Sequence, residues 1–178
     1  RTHNATLYMS LLAAFNVLLY RYTGQDDILV GSPIAGRTQR ETESLIGLFV
    51  NTLVLRTRVD ASAPLSFADL LDQTRQTALA AYAHQDIPFE QLVEVLQPER
   101  SLSHSPVFQV MFVLQNNATT ELNLPGLEIT PIEQDSPIAK FDLTLNAAEV
   151  NDQIELIWEY ATDLFDPARI ERMAAHFT

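Results

Sequence analysis

The chain has 178 residues, 47% of them hydrophobic and 19% charged, which is a globular composition and enough length for one domain with its own core. A formal charge of −12 argues against the phosphate backbone of a nucleic acid as the main partner, and the absence of cysteine removes disulfides, thiolate nucleophiles and cysteine-based zinc sites together. The longest apolar stretch, Leu11 to Tyr20, is interrupted by Asn16 and is too short to cross a bilayer, so no membrane segment is expected.

A first helix is predicted from about Ala5 to Tyr22, because Leu7, Leu11, Phe15, Leu18 and Tyr22 recur at helical spacing and Leu12 and Leu19 widen the stripe. Asn4 is expected to cap its start and Gly24 to end it. Ile28 to Ser32 reads as a short buried strand that Pro33 breaks into a loop. Gly31 and Gly36 lack the spacing and the Lys-Ser/Thr ending of a phosphate loop. Ile46 to Val59 starts as an apolar patch around Gly47 and continues as a strand, with Asn51 near the junction. A buried amide must find partners or cost about 1–3 kcal/mol, so Asn51 is either a structural clamp or a polar pole of a site.

Ser66 is expected to cap a long helix with Asp69 in its first turn and Phe67, Leu70, Leu71, Thr74, Ala78 and Ala81 on its buried side, ending near His84. Ile87 precedes a proline and resets the backbone, and a short amphipathic helix carrying Phe89, Leu92, Val93 and Leu96 begins at or near Pro88. Val107 to Leu114 is the most apolar strand and lacks clean alternation, which predicts burial on both faces. Leu127 to Ile132 is a weaker strand. Phe141 to Ala147 and Gln153 to Tyr160 alternate and are expected to pair as a hairpin across residues 149–152. Asp166 and Pro167 open a last helix with Ile170, Met173, Ala174 and Phe177 on one face. Strands alternating with long helices predict a mixed α/β fold around one sheet. The start has neither an initiator methionine nor a signal-peptide layout and the end stops inside a helical pattern, so the chain is expected to be a piece of a longer, cytoplasmic protein.

Residue chemistry alone supplies no catalytic centre. The histidines are His3, His84, His104 and His176, and none sits in a zinc-protease pattern. His84-Gln85-Asp86 formally matches part of a non-haem iron triad, but it lies at a helix end rather than on a barrel strand, and a polar corner holding two helices is the preferred reading. Ser32, Ser103 and Ser105 lack a nucleophile elbow. Arg56 and Arg58 share one strand face, read as a solvated margin rather than an anion site.

Several stretches, taken in order, resemble one family. Ile46 to Arg56 (IGLFVNTLVLR) resembles a core motif of the condensation domains of nonribosomal peptide synthetases. His84 to Glu90 (HQDIPFE) resembles the next motif, and Arg100 to Val107 the one after it, although Ser103-His104-Ser105 departs from the commonest form. Thr6 to Arg37, with YRYTGQDDILVGSPIAGR, and Lys140 to Leu145 are similar to the same family. The His-His-x-x-x-Asp-Gly motif of that family is not in these residues.

The resemblance implies a C-terminal condensation lobe over residues 1–178, an α+β sandwich of chloramphenicol-acetyltransferase type with a mixed sheet and flanking helices. It implies a role in amide formation between thioesters held on carrier proteins, with no activity from this piece alone because the histidine motif lies upstream. Implied partners are the N-terminal lobe, peptidyl or acyl carrier proteins and a neighbouring adenylation domain. No metal and no directly bound cofactor is implied; the phosphopantetheine arm arrives on the carrier. An epimerization-type relative and a non-catalytic docking lobe are the alternatives. Asn51 matches the motif asparagine placed near the family's channel, Ser32 is a channel candidate, and Arg37 either pins its loop or meets a phosphopantetheine phosphate. His84, Asp86, Pro88, Phe89 and Glu90 are read as architectural, and Arg100 as an ion-pair anchor.

Overall fold

Five strands form one sheet in the order β2-β1-β3-β4-β5, with the three central strands parallel and the two outer ones antiparallel to them. The computed structural model describes residues 4–36, 41, 45–47, 49–60, 66–98, 105–115, 127 and 138–178. The elements are α1 (Leu7–Thr23), β1 (Asp27–Ala35), β2 (Val50–Arg58), α2 (Phe67–Tyr82), α3 (Phe89–Leu96), β3 (Val110–Gln115), β4 (Leu143–Val150), β5 (Gln153–Tyr160) and α4 (Pro167–Phe177).

One sheet face carries the main core. Ile28, Val30, Leu55, Phe112, Leu143, Leu145 and Ala147 alternate inward along four strands and meet Leu12, Phe15, Leu18 and Leu19 of α1 and Ile170 and Met173 of α4. Gly24, at φ 68°, ends α1 in the left-handed cap, donating to the Tyr20 carbonyl at 2.9 Å, and turns the chain straight into β1. The N-terminus of α1 therefore lies over the carboxyl end of β1. Its cap is Thr6, whose Oγ1 accepts from the Met9 amide at 3.2 Å, not the expected Asn4, which sits at φ 50° outside the helix. Asn16, the break in the apolar run, is buried and donates to Thr57 Oγ1 of β2 at 2.9 Å.

Pro33 does not end β1, contrary to the expectation; the strand continues to Ala35, with Pro33 opposite Thr52. Pairing of β1 with β3 runs Val30↔Val110 and Gly31↔Met111 and goes no further. The next ladder bond would run from the amide of residue 33 to the Phe112 carbonyl, and proline has no N–H to give. The Ser32 hydroxyl donates to that carbonyl instead, at 2.9 Å. Ser32-Pro33 thus closes a parallel ladder with a side-chain donor and leaves the rest of β1 paired to β2 alone.

The other sheet face is reached through an edge crossing. After α2, which starts with a Ser66–Asp69 capping box and buries Leu70, Leu71, Thr74 and Ala78, the chain turns at 83–88 past the start of β2. The helix stops at Tyr82 with Ala83 as its C-cap, next to the expected His84, whereas Phe67, expected inside, is 51% exposed in the first turn. α3 buries none of its residues fully; Leu96, expected on its apolar side, is exposed. β3 starts at Val110, later than expected, because Val107 (φ 73°) takes the chain out of line and Phe108 turns onto the sheet. Met111 and Phe112, on opposite faces, are both buried, as its unbroken hydrophobicity predicts. β4 and β5 form the expected hairpin, tightened to the two-residue turn Asn151-Asp152, where both residues adopt positive φ (52° and 61°) that Asn and Asp tolerate. Apart from Leu127, the expected strand 127–132 lies outside the described residues.

Candidate functional site

A cleft of about 610 Å³ opens at the carboxyl ends of the parallel strands. Its walls come from Thr6, Leu7 and Tyr8 at the start of α1, Ser32 to Ala35 of β1, Leu53 of β2, Leu114 of β3, Glu149 of β4, and Tyr82 and Gln85 at and beyond the end of α2. Open α/β sheets bind ligands at this end, and the size suits a small organic ligand or an extended chain. The lining mixes aliphatic side chains with two phenols and hydroxyls, and among the described residues Glu149 is its one carboxylate.

Tyr8 is a half-buried phenol on this wall. Its ring packs on Phe112 with centroids 5.4 Å apart. Burial pushes the Tyr8 phenol well above its ordinary pKa, a push the neighbouring Tyr82 adds to; burial likewise raises Tyr82. Both stay neutral phenols across the physiological range.

Asn51 sits one step behind the cleft wall and holds it. Its Nδ2 donates to the carbonyls of Gln85 (2.7 Å) and Ile87 (2.8 Å), and its Oδ1 accepts from the amides of Thr52 (2.8 Å) and Phe89 (3.2 Å). Two donors and two acceptor positions are all that an amide offers, and all are used within the chain. The turn 83–88 is thereby tied to the edge strand, which fixes Tyr82 and Gln85 in the cleft and delivers Phe89 to the opposite sheet face.

On that opposite face Phe108 lies between Phe89 (centroids 5.5 Å) and Phe141 (5.3 Å). The Phe108 ring fills the space where residue 31 would carry a Cβ, so Gly31 is required by close approach rather than by its backbone angles. The stretches around Gly31, Asn51, Phe89, Phe108 and Phe141, far apart in sequence, meet in one knot through the sheet.

The remaining residues singled out in the sequence fall elsewhere. His84 and Asp86 are both exposed on the turn, and no group of His, Asp and Glu among the described residues could hold a metal. Pro88 is the N-cap of α3 and Glu90 lies in its exposed first turn. Arg56 grips Asp27 with two bonds (2.8 and 2.6 Å) on the solvated face, with Arg58 3.7 Å from the same carboxylate. Arg37, Arg100, His3, His104 and Ser103 lie outside the described residues. Tyr8, Tyr82 and Glu149 were not singled out in the sequence; a tyrosine in an apolar helical stripe, needing a partner for its hydroxyl, was the available signal for Tyr8.

The sequence profile of the family described as Condensation domain matches residues 1–178. One of the proteins that make up the linear gramicidin synthase of Brevibacillus parabrevis is 57% identical over 179 residues, covering 99% of this chain and 2% of that protein. Among solved structures, the X-domain from teicoplanin biosynthesis superposes with a TM-score of 0.87 at 26% identity, covering 99% of this chain and 40% of that one. A four-domain nonribosomal peptide synthetase bound to AMP and glycine gives 0.83 at 27% identity, over 97% of this chain and 14% of that one. The chain spans a small fraction of the curated relatives it matches.

Proposed function

Because this chain belongs to the condensation-domain family, we propose that it is the C-terminal lobe of a condensation domain in a nonribosomal peptide synthetase, forming one wall of the channel in which an amide bond is made. In that reaction the amine nitrogen of an acceptor aminoacyl thioester attacks the donor thioester carbonyl. The C–N bond forms, the C–S bond breaks, the nitrogen gives up a proton to a base, and the donor arm leaves as a thiol.

The observation that carries this reading is the cleft's chemistry. It can hold an extended, largely apolar chain, yet among the described residues its lining contains no histidine or lysine to take or give the proton. A wall that positions without supplying the base is what a lobe separated from its histidine motif should look like. Holding two reactants in line and away from water accounts for several kcal/mol of barrier lowering without any acid or base from this side. The phosphopantetheine arms would be delivered by carrier proteins, with an adenylation domain as a neighbour and a cytoplasmic setting; no helix among the described residues is long and apolar enough to span a membrane. In this reading Asn51 acts as the clamp of the channel wall and Ser32 as a polar group within it, while Arg37 is kept as a loop-pinning residue.

The test is amide formation by mass spectrometry from carrier-loaded donor and acceptor, comparing residues 1–178 alone with the same chain joined to its upstream lobe. Product from the joined form and none from the lobe alone is expected. Turnover by residues 1–178 alone would refute the division of labour. Carrier binding without product from the joined form would instead favour a docking lobe.

A further inference from the structure

Resting on the reading of the cleft as a channel wall, we propose that Glu149 is a specificity-determining residue that binds an ammonium group of the carrier-bound substrate. The sheet places it. Core-facing side chains continue past the buried core into the cleft as one row across four strands: Leu53 of β2 beside Ser32 of β1, Ile34 one step further along β1, Leu114 of β3 and Glu149 of β4. Glu149 belongs to this row by alternation, because Leu143, Leu145 and Ala147 precede it on the same strand face and are buried in the core. The β3–β4 pairing ends at Gln115↔Ala148, so Glu149 stands one residue beyond it, where the floor opens into the cleft.

Its neighbours in the row are apolar. Leu114 flanks it on the β3 side, and Ile154, its register partner on β5, on the other. Among the described residues no lysine, arginine or histidine lines the cleft, and Glu149 makes no ion pair. Glu155 and Glu159 of β5 pair with Ala148 and Thr144 and so lie on the opposite sheet face. Across three strand spacings, about 14 Å, the floor therefore runs from aliphatic at β2 to a single negative charge at β4. Such a floor sorts ligands by charge and by direction. A chain lies with its methylene-rich part over Ile34 and Leu53 and a cation at β4, whereas an anion at β4 is repelled. Glu149 is exposed, so this is a solvent-screened attraction that biases binding and takes no part in the proton transfer. Two sources supply an ammonium group, the acceptor amine as it arrives protonated and a basic side chain on the donor.

The experiment uses the complete two-lobe domain and measures binding without turnover, by fluorescence anisotropy of labelled carrier proteins. One pair of acceptor probes carries alanine or lactate, an amine against a hydroxyl. One pair of donor probes carries Nα-acetyl-lysine or Nα-acetyl-norleucine, which differ by the side-chain ammonium. In the parent domain one pair is expected to show about 2–5-fold tighter binding of its ammonium member, the size of an exposed ion pair, and the preference should shrink as salt is raised. In Glu149→Gln, which keeps the shape and removes the charge, the preference should vanish, and the pair that shows it identifies the source. No preference in either pair of the parent, or one that Glu149→Gln keeps, would overturn the proposal. Ala35→Trp, placed at the exposed end of β1 on the cleft wall, separates the two levels. If it leaves turnover and the affinity of every loaded carrier untouched, the cleft is not the channel and the underlying reading fails with the proposal. If it impairs them while no ammonium preference appears, the channel reading stands and only the assignment of Glu149 falls.

Discussion

Ser32→Ala tests the claim that a hydroxyl stands in for a missing backbone donor. The substitution leaves the carbonyl of Phe112, whose residue is fully buried, without the bond it makes at 2.9 Å. An unsatisfied buried carbonyl costs about 1–3 kcal/mol. Pro33→Ala alone adds an amide aimed at a carbonyl already satisfied and loosens the unfolded chain, so it should cost no more than about 0.4–1 kcal/mol. Together, the restored amide of residue 33 can take the Phe112 carbonyl and continue the β1–β3 ladder. The double variant should therefore be more stable than the sum of the singles predicts, by about 1 kcal/mol. Urea unfolding of the complete domain for the four members of the cycle measures this. Additivity within about 0.3–0.5 kcal/mol would refute the substitution of hydroxyl for amide.

Four further outcomes are expected. Gly31→Ala drives a methyl into the Phe108 ring, which Phe89 and Phe141 keep from swinging away; it should cost about 1–3 kcal/mol, and Phe108→Leu in the same chain should recover part of that in melting temperature. Asn51→Asp keeps the shape but removes the donors to Gln85 and Ile87, and should lower stability by about 2–4 kcal/mol with turnover falling in step; lost turnover at unchanged melting temperature would contradict the clamp. The hydrogen bonds from Arg56 hold the Asp27 carboxyl below its ordinary pKa, so the stability it contributes is complete above about pH 3.9 and is lost as pH falls through its lowered folded value; Asp27→Asn should remove that part of the acid limb in unfolding measured from about pH 7 to pH 2. Thr57→Val should cost about 1–3 kcal/mol by stranding the buried Asn16 amide, whereas Asn16→Leu with Thr57→Val should be close to neutral, because Asn16 Oδ1 already lacks a partner.

The local grammar of the sequence carried most of the fold. Gly24, the Ser66–Asp69 box and Pro167 mark helix ends that the structure keeps, and period-two alternation locates the β4–β5 hairpin. The misses share a cause, which is that the deciding partner is distant. Pro33 reads as a strand breaker until β3 is seen to leave the ladder beside it, with the compensating hydroxyl 80 residues from its acceptor. Nothing near Asn51 reveals that its amide reaches backbone groups 34 to 38 residues away. Phe67 follows the helical period but falls in a first turn that the core does not reach. The cleft was invisible as a set, because its lining comes from stretches scattered along the chain that share no spacing.

In the proposed reading of the cleft as a channel wall, its restrictive contacts follow from what a wall must do. An in-line attack loses orders of magnitude in rate when reacting groups are displaced by about 1 Å, so the wall contributes through stiffness. Two devices supply it here. On the β2 side, Asn51 spends its whole hydrogen-bonding capacity on the turn that holds Tyr82 and Gln85 at the cleft and on the strand beside it. On the β3 side, Ser32-Pro33 ends the parallel ladder where the cleft begins, so β1 can line it without an orphaned carbonyl beneath. The aromatic knot of Phe89, Phe108 and Phe141 behind Gly31 braces the same strand from the opposite face. The cleft is therefore shaped largely from behind, and selectivity is left to the few side chains that face inward.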